Sequence, residues 1–67
     1  NIRVNCVSPG GIEDKQVEKF KQKYREDCTN IGMLSPKDIS SAILFLLSPA
    51  AKAINGHNFI VDDGWTL

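Results

Sequence analysis

Val4-Asn5-Cys6-Val7-Ser8-Pro9-Gly10-Gly11-Ile12 is the stretch from which the rest of the chain is read. Ile2, Val4 and Cys6 alternate with Arg3 and Asn5, and Val7 extends the apolar run. Residues 1–8 are therefore predicted to form a short interior strand. Pro9 has no N–H and a fixed φ, which is expected to stop the ladder there. Gly10 and Gly11 are open to backbone angles closed to other residues, and they let a ligand approach the main chain with no Cβ in the way. In open parallel α/β sheets, ligands sit beyond the carboxyl ends of strands. The turn is thus either a ligand lip or an ordinary strand ending.

Outward from the turn, a charged helix is predicted over 14–27, with Asp14 as its N-cap. Val17, Phe20, Tyr24 and Cys28 form a narrow apolar stripe at helical spacing. The rest of that helix mixes Lys, Arg and Glu and reads as a solvated face. Cys28 to Leu34 is a loop. Ser35-Pro36-Lys37-Asp38 then carries a strong helix start, with Ser35 as cap, Pro36 at the first helical position and Asp38 answering from the third. The helix over 36–48 is apolar all round from Ala42 onward, so it needs cover on two sides. Ser48-Pro49 ends it, and Ala50 to Ile54 is an irregular return. Asn55-Gly56 is a turn but not a hairpin, because the residues before it have little strand character. A second strand over 57–62, centred on Phe59-Ile60-Val61, is expected to lie parallel to the first through a right-handed crossover.

Eight Lys and Arg balance eight Asp and Glu, which argues against nucleic acid as a partner, since that binding rests on cations neutralising phosphates. No apolar run is long enough for a membrane span, so no membrane partner is expected. Cys6 and Cys28 match no zinc or redox spacing, and His57 has no companion at ligand spacing. No metal site is expected. Two reduced thiols suit a cytoplasmic protein. A 67-residue chain buries only about 60% of its unfolded surface and is marginal without a staple. It also begins inside a strand pattern, without an initiator Met. The expectation is a piece of something larger, whose other parts or other subunits cover the helix 36–48.

Three segments in this order carry a resemblance. Ile2 to Ile12, then Pro36-Lys37-Asp38-Ile39 before an apolar helix, then Ile54-Asn55-Gly56-His57 with Val61-Asp62-Asp63-Gly64, resemble the C-terminal part of a short-chain dehydrogenase/reductase. Ser8 to Gln16 and the ending Val61 to Leu67 further resemble the flagellin-modification branch, associated with nucleotide-activated sugars for flagellar glycosylation. The resemblance implies an α/β fold: the C-terminal portion of a Rossmann-type doubly wound parallel sheet, in the order strand, lid helix, helix, strand. It places the Gly-rich loop and the catalytic Ser, Tyr and Lys upstream. No Tyr-x-x-x-Lys occurs here, since Cys28 stands four places after Tyr24. Residues 1–67 would then be the C-terminal fragment of one dinucleotide-binding domain, inactive alone.

The family also implies a cofactor, NAD or NADP, hydride transfer to or from an alcohol or ketone carbon, and a small-molecule substrate. Pro9, Gly10, Gly11 and Ile12 would lie along the nicotinamide, with the Ile12 backbone N–H and C=O holding its carboxamide. Asp14 stands where the family commonly has Thr. Ionised Asp can only accept a hydrogen bond, so it either takes the carboxamide NH2 or caps the helix, and the cap is the favoured reading. Phe20, Tyr24 and Met33, on the segment that covers substrate in relatives, either face substrate or pack the lid on the body. Helix 36–48 and strand 57–62 correspond to elements that build dimers and tetramers, which predicts a homo-oligomer. Trp65 is either an interface anchor or part of a tail packed on its own domain. The alternative class is a non-catalytic oligomerisation module that uses the apolar helix 36–48.

Overall fold

The computed structural model describes residues 2–67. Two parallel strands, β1 (Cys6–Pro9) and β2 (Asn58–Val61), pair directly in register, Cys6 with Asn58 through Pro9 with Val61. Between them the chain forms α1 (Glu18–Glu26), α2 (Pro36–Leu47) and a 3-10 turn (Pro49–Ala51). The strand–helix–helix–strand order and the parallel pairing are those read from the sequence. The return after α2 is tighter than the irregular segment expected.

Of the strand expected over 1–8, Asn1 lies outside the described residues; residues 2–5 are not in β1, and the faces are reversed from the simple expectation. Ile2, Val4 and Cys6 point outward, with Ile2 85% and Val4 68% exposed, while Arg3 and Asn5 turn inward. The reason is hydrogen bonding. Arg3 donates from Nη2 to the Leu46 carbonyl (2.9 Å) and from Nη1 to the Ile54 carbonyl (3.2 Å). Asn5 donates to the same Ile54 oxygen (3.0 Å) and accepts the His57 N–H (3.0 Å). At Leu46 the cation meets one of the last carbonyls of α2, a group the helix cannot pair itself. These side chains stitch residues 3–5 to the loop before β2, so regular pairing begins only at Cys6.

Nor does Pro9 stop the ladder. It is the last residue of β1, and the Gly10 N–H makes one more bond to the Val61 carbonyl (2.8 Å). In this register the position of the missing Pro9 N–H faces away from β2, so proline costs the pair nothing.

α2 forms as its sequence directs. Asp38 accepts the Ser35 N–H (2.8 Å) and Pro36 opens the first turn, completing a capping box. The helix ends at Leu47, with Ser48 as its C-cap. It lies on β1 and β2, with Phe45 tilted against Phe59 at a centroid distance of 6.4 Å. The core is small: Leu34, Leu46 and Ala51 are its buried apolar residues. Leu44 and Leu47 remain 67% and 74% exposed, leaving one side of an all-apolar helix uncovered.

α1 starts four residues later than expected. Asp14 does not cap it. The N-cap is Val17, which makes no side-chain bond. The Asp14 N–H is taken by the Gln16 side chain (2.7 Å), which closes residues 14–16 into a local turn in place of a first helical turn.

Candidate functional site

Beyond the carboxyl end of β1 the chain makes a second, isolated parallel bridge, Ile12 with Leu34. The Leu34 N–H donates to the Gly11 carbonyl (2.8 Å) and the Glu13 N–H to the Leu34 carbonyl (2.7 Å). Leu34 is buried at this point. The bridge pins both ends of the excursion that carries α1. Because it uses the groups of Gly11 and Glu13, it turns the N–H and C=O of Ile12 to the opposite side.

The two glycines have a packing reason to be glycine. Neither is among the positive-φ residues. A Cβ on Gly10 would meet the Asp62 Cβ at 2.7 Å, and one on Gly11 would meet the Tyr24 ring at 2.9 Å. The chain itself comes against both of them, so they are glycine to admit Asp62, just past β2, and Tyr24 of α1. Tyr24 donates nothing here but accepts: the Gly11 N–H reaches its hydroxyl oxygen at 2.6 Å. Its ring stacks on Trp65, 5.8 Å between centroids and 11° from parallel.

The stripe on α1 is therefore anchored at one end. Tyr24 and Cys28 are half-buried, whereas Val17 is 70% and Phe20 52% exposed. Pro9, Gly10 and Tyr24 share a cleft of about 280 Å³ with Ser8, Ile60 and Trp65. Phe20 lies outside it, in a groove it shares with Tyr24 and Trp65. Met33 is elsewhere, in a charged cleft with Glu13, Lys21 and Arg25, where Lys21 and Glu13 form an ion pair at 3.1 Å. The structure thus brings Pro9, Gly10 and Gly11 against Tyr24, with Phe20 on the adjoining groove. Met33 is left on a separate surface, and the Ile12 peptide turns away from Tyr24.

The acidic pair after β2 organises the far wall. Asp62 is buried and accepts the Gly64 N–H (2.9 Å) and the Thr66 N–H (3.1 Å). A hydrogen bond from the Thr66 side chain, helped by those amides, holds its carboxyl below the ordinary value. Asp63, at a φ of 53°, turns the other way. Its Oδ2 accepts three consecutive amides, from Asn30 (3.0 Å), Ile31 and Gly32 (2.8 Å). The Gly32 amide chiefly, then those of Asn30 and Ile31 and the charge of Arg25, depress its pKa against the opposing effect of desolvation. Successive amides converging on one oxygen form an anion nest, here filled by the chain's own carboxylate. Burial pushes the Cys28 thiol up, and the charges of Asp63, Asp62 and Asp27 add to this. That is the opposite of what a nucleophilic cysteine requires.

Among the described residues, the chain's own N–H groups from 10 to 14 are committed, with one exception. Gly10 bonds Val61, Gly11 bonds Tyr24, Glu13 bonds Leu34 and Asp14 bonds Gln16. The Ile12 N–H has no such partner. Its C=O accepts the Gln16 amide at 3.2 Å.

The sequence profile of a family described as enoyl-(acyl carrier protein) reductase matches residues 1–66. The chain belongs to the short-chain dehydrogenase/reductase family. Within the family it is 48% identical, over all 67 residues, to post-translational flagellin modification protein A of Campylobacter coli, 26% of whose length it spans. It is 34% identical over 71 residues to D-xylose 1-dehydrogenase of Caulobacter vibrioides, covering 97% of this chain and 28% of that one. A short-chain dehydrogenase from Leptospira borgpetersenii, solved with bound NAD+, superposes with a TM-score of 0.89 at 37% identity. That match covers 97% of this chain and 26% of the other. A 4-hydroxyisoleucine dehydrogenase complexed with NADH and succinate gives 0.84 at 38% identity, over 98% and 28% of the two chains. The chain therefore spans about a quarter of the length of the short-chain dehydrogenases it matches.

Sequence reasoning missed Gln16, the Tyr24–Trp65 stack and the divided roles of Asp62 and Asp63. Only the last had a signal: an Asp-Asp-Gly run after a strand is turn chemistry.

Proposed function

We propose that this chain forms the nicotinamide end of the active site of an NAD(P)-dependent oxidoreductase, with the catalytic Ser, Tyr and Lys supplied from elsewhere in the full-length protein. The observation that carries the reading is the exception at Ile12. Of five consecutive residues, only Ile12 presents an N–H not committed within the chain, and its C=O lies beside it, turned outward by the Leu34 bridge. A donor and an acceptor on one rigid peptide pair fit a primary carboxamide, which offers an acceptor and a donor in the same spacing. The bound states of the two solved relatives, NAD+ in one and NADH in the other, support the same cofactor class.

When bound, the nicotinamide supplies or receives the hydride. The chain's part is orientation. Reacting carbons must be held about 3–3.5 Å apart with one ring face presented, and that alignment can supply a large share of the rate. Backbone groups fixed between β1 and the Leu34 bridge suit the task, because no side-chain rotamer has to be frozen. Pro9, Gly10 and Gly11 shape the turn, and Asp14, which does not cap α1, keeps its other role, a carboxylate that accepts from the carboxamide NH2. In this reading α1 with the following loop is a lid over the substrate, docked at Tyr24 and loose at Phe20. Phe20, Tyr24 and Met33 are the side chains it offers.

The flagellin-modification relative supports a finer reading, a sugar or nucleotide-sugar alcohol or ketone as substrate, in a cytoplasmic protein with both thiols free. The uncovered faces of Leu44 and Leu47, with Ile60 54% exposed on β2, support a homo-oligomer built through α2 and the second strand. A non-catalytic module would use the same surface but would not need Ile12. A fluorescence titration of the full-length protein with NADH and NADPH separates the two. Saturable binding of either, with hydride transfer to a sugar-like ketone, upholds the enzyme. Oligomers with no dinucleotide binding would favour the module.

A further inference from the structure

Gln16 carries the same functional group as the nicotinamide ring, a primary carboxamide, and that group sits on the turn just described. Its Nε2 donates to the Ile12 carbonyl at 3.2 Å and its Oε1 accepts the Asp14 N–H at 2.7 Å. The orientation of the amide is fixed by its partners, because a carbonyl can only accept and a peptide N–H can only donate. Gln16 lies two residues before α1 and within the segment where the expected first turn of the lid helix fails to form.

We infer that Gln16 is a placeholder: in the free protein its carboxamide occupies the Ile12 carbonyl, and it is displaced when a nicotinamide carboxamide takes that oxygen. The inference rests on the dinucleotide reading above. It makes Gln16 a positioning residue that acts through the backbone of Ile12 and Asp14. Two consequences follow from the geometry. Binding of the nicotinamide end carries the cost of breaking two solvent-accessible hydrogen bonds. Their loss also frees residues 14–17, so that the start of the lid can rearrange only when the nicotinamide is in place. The adenosine and pyrophosphate of a dinucleotide have no part in this exchange, and this separates the effect from general damage to the fold.

The test is calorimetric titration of the full-length protein and its Gln16→Ala and Gln16→Glu variants with NAD+ and, separately, with ADP-ribose, which lacks the nicotinamide. Glu keeps an acceptor for the Asp14 N–H but offers the Ile12 carbonyl no donor, so it guards against an effect of truncation alone. Two weak bonds removed from the free state should tighten NAD+ about fivefold in Gln16→Ala. Gln16→Glu should tighten it less, and ADP-ribose affinity should not change in either variant. Hydrogen exchange at the Asp14 amide should accelerate in Gln16→Ala without NAD+. Weaker NAD+ binding with unchanged ADP-ribose binding would make Gln16 a direct contact and overturn the placeholder. Equal changes for both ligands would make it a structural residue, with the same result. If the unaltered protein binds neither ligand, and NADP+ does not bind either, the dinucleotide reading itself fails and takes this inference with it.

Discussion

The two helices of this chain are built on opposite plans. α2 has a complete start signal, Ser35, Pro36 and Asp38, and one side seated on the sheet. α1 has no side-chain cap and buries none of its residues. Its attachment is one tyrosine hydroxyl on the Gly11 amide, one aromatic stack on Trp65, a loop held by Asp63 and an exposed ion pair from Lys21 to Glu13. α2 is specified locally and again by packing. α1 is specified by tertiary contacts, most of them at its C-terminal end, and no side-chain cap fixes its beginning. An element held mainly at one end can swing about that anchor, which is what the proposed lid role requires.

The largest expected effect lies in the body. Leu46→Ala removes the buried anchor of α2 and should cost the full-length protein about 3 kcal/mol by denaturant unfolding. If it costs no more than a surface change, α2 is not the firm half of the pair. Next is Gly11→Ala, whose methyl would stand 2.9 Å from the Tyr24 ring. It should cost about 1–2 kcal/mol, and hydrogen exchange should rise across α1 while α2 is unmoved. A rise spread evenly over both helices would erase the distinction drawn between them.

Acid sharpens the comparison further. The Asp63 pKa is depressed below its ordinary value of 3.8 in the folded protein. Its contribution is therefore present in full above the unfolded value and is lost as pH falls through the folded one. The loop 29–32 should stay protected at neutral pH and open only in strong acid, and Asp63→Asn should open it at pH 7. The smallest effect is Asp14→Thr. Since Asp14 does not cap α1, the substitution should leave helix content by circular dichroism unchanged. A measurable loss would restore the cap.

The sequence showed most where each residue acts on its neighbours. The capping box of α2, the Asn-Gly turn that is not a hairpin, and the order of strands and helices are all local or periodic signals. It misled where a side chain has a distant partner. Arg3 turns inward because it finds the carbonyls of Leu46 and Ile54, dozens of residues away. Gly10 and Gly11 are small because Asp62 and Tyr24 arrive from other elements. Asp14 looked like a cap until Gln16 took its amide. The Ile12 peptide lay between these cases: the family resemblance singled it out, and the isolated bridge to Leu34 explains why that one peptide faces out.

The most direct measurement is hydrogen exchange of the segment 10–17 in the full-length protein, alone, with NAD+ and with ADP-ribose. The Ile12 amide should be protected by NAD+ and left exchanging by ADP-ribose. Protection by neither, in a protein shown to bind both, would place the nicotinamide elsewhere and contradict the account.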